Sequence, residues 1–144
     1  MEQRVRVTIT DGVADVKLSR PDKMNALDKA MFEALVETGS RLVSQQGLRA
    51  VVISGEGRAF CAGLDMGRFA QMAGPEGGGT TAANELRLGT RSHGIANSSQ
   101  HAVLVWQDIP VPVIAAVHGV AFGGGFQLSL GADIRFVAPT PGCR

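Results

Sequence analysis

The spacing of apolar and polar positions changes period along the chain, and each change marks an element. Val5, Val7 and Ile9 alternate with Arg6 and Thr8, and a second run, Val13–Leu18, comes after Asp11-Gly12. Alternation on both sides of Asp-Gly predicts a β-hairpin, because the tight turn needs a positive φ that glycine accepts without a steric penalty. Residues 19–27, SRPDKMNAL, lose any period at Pro21 and Asn25 and read as a loop, with Asp28 placed to cap the start of a helix. From there Met31, Leu35, Leu42 and Phe32, Val36, Val43 recur on helical spacing. They predict an amphipathic helix over 29–45, closed by Gly47.

Residues 50–54, AVVIS, are a short apolar run of the kind that forms a buried strand. The stretch 55–66, GEGRAFCAGLDM, reads as a glycine-bearing loop leading into a short helix around 67–72. GPEGGGTT at 74–81 has the composition of a surface loop. Residues 82–108 read as broadly helical, firmest over 95–106, until Pro110 and Pro112 end the helix and hand over to a strand at 113–117. The order is hairpin, helix, strand, helix, strand, helix, strand. Alternation of this kind predicts an α/β layered fold, and 144 residues fit one domain, 1–144.

The chemistry concentrates in residues 113–137, VIAAVHGVAFGGGFQLSLGADIRFV. An apolar strand runs through a turn and three glycines into an amphipathic helix. Glycines at such a junction let a ligand approach bare backbone, and the first amides of a helix lack intrahelical partners. They are placed to hold an anion, bound or developing. A second glycine loop, RAFCAGLD, comes after the strand AVVIS. Two loops delivering amides to the carboxyl edge of one sheet have the geometry of an oxyanion hole; the bland alternative is glycine serving tight packing.

Composition narrows the class. Hydrophobic residues make up 44% and charged residues 19%, with a net charge of +1, which suits a soluble domain and gives no case for nucleic acid. No apolar stretch reaches membrane-spanning length, and the amino terminus lacks a signal-peptide core. Cys61 and Cys143 are too few for a disulfide framework or a zinc site, so a cytoplasmic setting is expected. Nucleotide motifs fail on the residues. There is no P-loop, and Leu128 stands where a G-x-G-x-x-G needs its third glycine.

Four segments in order, LSRPDKMNAL at 18–27, SGEGRAFCAGLDM at 54–66, PVPVIAAVHGVAFGGG at 110–125 and LSLGADIRFVAP at 128–139, resemble the amino-terminal half of the crotonase superfamily, the enoyl-CoA hydratase/isomerase family. The resemblance implies a spiral of ββα units, cut before the carboxyl-terminal helices. It also implies binding of an acyl-CoA thioester whose enolate is held by the backbone amides of Ala62 and Gly124. Lys23 and Met24 match the segment bordering CoA, and Gly63, Leu64 and Asp65 match the lining of its pantetheine and adenine, with Gly123 beside the donor glycine. Arg58 is read either as a contact to a CoA phosphate or as a solvated surface arginine. No cofactor is implied beyond coenzyme A as part of the substrate. A trimer or hexamer is implied for the full-length family and is in doubt for this chain.

The departure is Gln127, which stands where hydratases of this family carry a glutamate. A carboxamide does not titrate near neutral pH, so it cannot exchange the proton that hydration requires. The family's second carboxylate falls beyond Arg144. Among other candidates, His118 is read as stabilising its turn, and His93 and His101 as surface or helix-packing residues. Asp65 and Asp133 are read as end caps, Cys61 as a small buried residue, and Phe122 and Phe126 as pocket wall and core. Two functions stay open. One is an enoyl-CoA hydratase or isomerase of fatty-acid metabolism that stabilises a thioester enolate. The other is a truncated, catalytically incompetent chain that only binds CoA or assists assembly.

Overall fold

A computed structural model describes residues 3–67, 91 and 93–139. Its five strands form one sheet in the order β1 (Val5–Thr10), β2 (Val13–Leu18), β3 (Ala50–Gly55), β4 (Val113–Val117) and β5 (Ile134–Val137). The hairpin β1–β2 is antiparallel, and every later neighbour is parallel. The predicted turn is present: Asp11 and Gly12 both take positive φ, 50° and 79°, the combination a two-residue hairpin turn needs to match strand twist.

Parallel neighbours need crossovers, and these carry the helices. Helix α1, Lys29–Val43, starts at Asp28, whose carboxylate accepts the Met31 N–H at 2.8 Å, and it stops two residues short of the predicted end. Its buried stripe of Met31, Leu35, Thr38, Gly39 and Leu42 keeps to the 3.6-residue period. Met31, Leu35 and Leu42 of the stripe share one buried cluster with Ala14, Val16 and Leu18 of β2, Val51 and Ile53 of β3, and Val113 and Ala115 of β4. Fully burying a side chain the size of Leu35 is worth about 1.5–3 kcal/mol, so this layer dominates the core.

The second crossover differs from its prediction. Helix α2 is only Ser98–Leu104, continued by a 3₁₀ turn at Val105–Asp108, and the expected segment 82–90 lies outside the described residues. The start at Ser98 has a local cause. Asn97 accepts the Gln100 N–H at 2.8 Å, and the Gln100 side chain accepts the Asn97 N–H at 3.0 Å, closing a capping box. Just upstream, His93 and Ala96 pair backbone to backbone in place of a helical turn. Trp106 is fully buried on the 3₁₀ turn, with its indole N–H on the Ala102 carbonyl at 2.9 Å. The short helix expected at 67–72 shows its start at Met66 and Gly67, and the loop expected at 74–81 lies outside the described residues. Helix α3, Gly124–Leu130, completes the pattern.

Phe122 and Phe126 are corrections. They are 66% and 52% exposed, so they form neither core nor an enclosed pocket wall among the described residues. The cause is periodicity: helix α3 turns Gly125, Leu128 and Ser129 inward, which leaves Phe126 on its outer side.

Candidate functional site

Three loops meet past the carboxyl ends of β2, β3 and β4, and they continue the strand order of the sheet. The middle loop, after β3, is laced to the loop after β4 by Phe60 N–H to His118 O (2.8 Å), Cys61 N–H to Val120 O (3.0 Å) and Phe122 N–H to Cys61 O (3.1 Å). On its other side it is laced to the loop after β2 by Leu27 N–H to Gly63 O (2.7 Å) and Asp65 N–H to Leu27 O (3.1 Å). Isolated bridges, Cys61 with Ala121 and Leu27 with Leu64, record this pairing.

The closeness explains the glycines. Gly63 has φ +85°, and a Cβ there would stand 2.5 Å from the Phe122 carbonyl oxygen and 3.6 Å from the Gly124 nitrogen. A Cβ on Gly125 would run into the Cys61 carbonyl. At these glycines the two loops approach backbone to backbone, which brings the 62–65 segment against the start of α3.

Asn25 is the buried tie among the loops and was not singled out from sequence. It is fully buried in a left-handed conformation, φ 55°. Its amide donates to the carbonyls of Glu56 (3.0 Å), Ala59 (2.9 Å) and Phe60 (3.2 Å), and its oxygen accepts the Arg20 N–H at 2.9 Å. Asparagine tolerates this backbone region better than most residues, so the N of N-A-L in the first loop was the available signal.

The amides fall in an instructive order. The Ala62 N–H, expected to face a ligand, donates instead to the Met24 carbonyl at 2.9 Å. The Gly63 N–H is directed at the Cys61 sulfur, where it opposes the burial that pushes the thiol up to about 11. The Leu64 and Gly124 amides have no hydrogen-bond partner among the described residues. The left-handed turn at Met24, φ 50°, turns its carbonyl onto the Ala62 amide, so that donor is engaged within the chain.

The other candidates separate cleanly. Lys23 lies exposed on a 3₁₀ turn, Pro21–Lys23, and Arg58 is exposed on the middle loop. Met24 and Leu64 are half-buried and Gly123 is exposed. Asp65 is held below the usual carboxylate range, first by the Arg20 guanidinium at 2.6 Å and then by the Gly67 N–H at 2.8 Å, so it acts as an end cap. Asp133 instead ties two strands: its carboxylate accepts the Val113 N–H at 2.8 Å at the start of β4. The His118 ring bonds the Gly57 carbonyl at 2.9 Å, which holds its turn. Cys61 is buried with its thiol on the Asn25 carbonyl at 3.1 Å. His93 and His101 stack at 4.5 Å, and His101 sits below the ordinary histidine range through burial and then its neighbour.

Beside Gly124 lies a cavity of about 220 Å³. Its walls are the side chains of Leu27, Phe32, Leu35, Ala102, Val103 and Leu128, and Asn97, Ser99, Gln100 and Gln127 supply its polar part. No ionisable side chain lines it among the described residues. Nor does any group of three or more His, Cys, Asp and Glu side chains there have the clustering of a metal site. No helix among the described residues is long and apolar enough to cross a membrane.

Amides and an apolar cavity at the carboxyl edge of the sheet have the geometry in which α/β folds place small-molecule ligands. The comparisons give the class. The profile of the family described as Enoyl-CoA hydratase/isomerase matches residues 8–142, so this chain belongs to that family. It is 37% identical over 127 residues to the human Delta(3,5)-Delta(2,4)-dienoyl-CoA isomerase, mitochondrial, covering 88% of this chain and 37% of that protein. Among solved structures, the enoyl-CoA hydratase from Bacillus anthracis superposes with a TM-score of 0.77 at 28% identity, over 96% of this chain and 48% of that one. A Thermobifida fusca structure solved in complex with CoA superposes at 0.74 and 35% identity, over 96% of this chain and 50% of the other. The fold is therefore that of the crotonase superfamily, and the chain spans about half the length of these solved relatives.

Proposed function

We propose that this chain binds an acyl-CoA thioester and polarises its carbonyl between the backbone amides of Leu64 and Gly124, with the acyl group in the adjoining cavity. The observation that carries the reading is the pair of unspent amides on two loops held together by backbone contact. A thioester enolate concentrates charge on its oxygen, and fixed N–H donors stabilise that charge without reorganising. The exposed Lys23 and Arg58 flank the same loops and suit the phosphates of CoA. The Thermobifida fusca complex supports CoA as the ligand class.

The reading stops short of hydration or isomerisation by the described residues. Both reactions move a proton at the acyl chain, and a cavity lined by carboxamides, a hydroxyl and hydrocarbon offers no group that titrates near neutral pH. A reducing cytoplasm suits the buried free thiol of Cys61.

Acetoacetyl-CoA tests the assignment, since its enolate absorbs in the near ultraviolet. The wild-type chain is expected to bind it and raise its enolate fraction. Gly124→Pro deletes one donor at the first helical position, where proline is tolerated, and one such donor is worth about 2.7–4 kcal/mol. An enolate fraction equal in the two proteins would sink the assignment.

A further inference from the structure

The bridge between Leu27 and Leu64 decides where one of the two free amides points. The Leu27 N–H donates to the Gly63 carbonyl at 2.7 Å, and the Asp65 N–H donates back to the Leu27 carbonyl at 3.1 Å. The peptide joining Gly63 to Leu64 is trans, so its N–H points opposite to its carbonyl. With that carbonyl on Leu27, the Leu64 amide is directed away from the bridge. Its direction therefore depends on where Leu27 sits.

Arg20 holds both ends of the bridge by their neighbours. Its Nη1 donates to the Ala26 carbonyl at 3.1 Å and to the Asp65 carboxylate at 2.6 Å, and it lies 3.4 Å from the Asp28 carboxylate. Ala26 and Asp28 flank Leu27, and Asp65 follows Leu64. Arg4 supplies a second cation, 3.0 Å from Asp28, so two arginines balance two carboxylates in one cluster. The side chains of Arg20 and Asp65 are only 13% and 20% exposed. Pairs this far out of water add little net stability, because desolvation offsets their attraction. What the shared guanidinium nitrogen fixes is geometry.

We infer, resting on the acyl-CoA reading, that Arg20 is a positioning residue for the thioester oxygen: through Ala26, Asp28 and Asp65 it aims the Leu64 amide without touching the substrate. If the arginine merely fastened two loops together, any other tie between them would serve equally. Glu56 is such a tie. Its carboxylate accepts the Ser19 hydroxyl at 2.9 Å and the Arg6 guanidinium at 3.0 Å, and it bonds no residue from 62 to 65 among the described residues.

Titrating acetoacetyl-CoA and free CoA against the full chain as wild type, Arg20→Met, Asp65→Asn and Glu56→Ala tests this. Near-ultraviolet absorbance of the bound thioester gives its keto–enolate equilibrium, calorimetry gives the affinity for each ligand, and urea unfolding gives stability. Arg20→Met is expected to lower the equilibrium constant about tenfold, a part of the roughly 100-fold or more that one donor is worth, with affinity for free CoA unchanged. Asp65→Asn leaves one acceptor oxygen for both Arg20 and the Gly67 N–H, so a fall of about fivefold, one net hydrogen bond, is expected. Glu56→Ala is expected to lose stability and keep the wild-type equilibrium. An equilibrium unchanged in either Arg20→Met or Asp65→Asn, or lowered as far by Glu56→Ala, overturns the positioning role and leaves thioester binding intact. Should Arg20→Met fail to fold, Asp65→Asn decides alone. Failure of the wild type to bind acetoacetyl-CoA or to raise its enolate fraction overturns the acyl-CoA reading and this inference together.

Discussion

Replacing Asn25 with alanine should cost about 4 kcal/mol of folding stability. The side chain is fully buried and shares its two N–H groups among three carbonyls, while its oxygen holds the Arg20 amide. Counting about 1 kcal/mol net for each of two donors and one acceptor gives about 3 kcal/mol. The left-handed backbone, φ 55°, adds about 1 kcal/mol for alanine. Against a typical domain stability of about 5–15 kcal/mol, that is a large share. The chain has one tryptophan, Trp106, fully buried, so urea unfolding monitored by its fluorescence reads the core directly. Asn25→Gly loses the same hydrogen bonds but not the steric penalty, so its loss should be smaller. A loss below about 1.5 kcal/mol for alanine, or alanine no worse than glycine, would refute the reasoning.

Three further perturbations have expected outcomes. Gly63→Ala combines φ +85° with a Cβ 2.5 Å from the Phe122 carbonyl, so it should destabilise by about 2–4 kcal/mol and weaken acetoacetyl-CoA binding; urea titration and calorimetry check both. Gly39→Ala gains helix propensity of about 1 kcal/mol but puts a methyl 2.6 Å from Val105, so a net loss of about 1 kcal/mol is expected. Adding Val105→Ala should recover part of it, and additive losses in the double mutant would dismiss the clash. The folded-state pKa of His101 is depressed, so the unfolded chain binds the proton more readily as pH falls through the ordinary histidine range. Its contribution is present above about pH 6.5 and is lost toward the lower, folded value, so Tm should fall over that window. His101→Gln should flatten the slope, and an unchanged slope would exclude this pair as its source.

How much was legible in sequence depended on whether the signal was local. Asp11-Gly12, the stripe through Met31 and Leu35, and the strand at Val113–Val117 carry their causes within a few residues, and their elements formed near the predicted bounds. The N-x-x-Q box at Asn97 was equally local, yet the apolar spacing upstream of it suggested a longer helix. The site was only half legible. Its loops were evident from glycines and motif order. Which amide was free was not, because that depends on Met24 reaching Ala62 across thirty-eight residues of chain. Phe126 misled for a related reason: a large apolar residue beside glycines suggests enclosure, and only the turn of α3 decides which way it faces.

The sheet order repeats the chain order, β1 to β5 without an inserted strand. A chain delivered from its amino terminus can therefore build this sheet by accretion, each arriving strand docking on the edge that the previous one left open. The hairpin forms first from local contacts, and β3 and β4 must each wait for a long crossover. Such non-local pairings slow folding more than they weaken the product, since each doubling of loop length costs only about 0.6 kcal/mol. At every stage the growing edge is the vulnerable one, and among the described residues that edge is β5, with all four of its residues exposed.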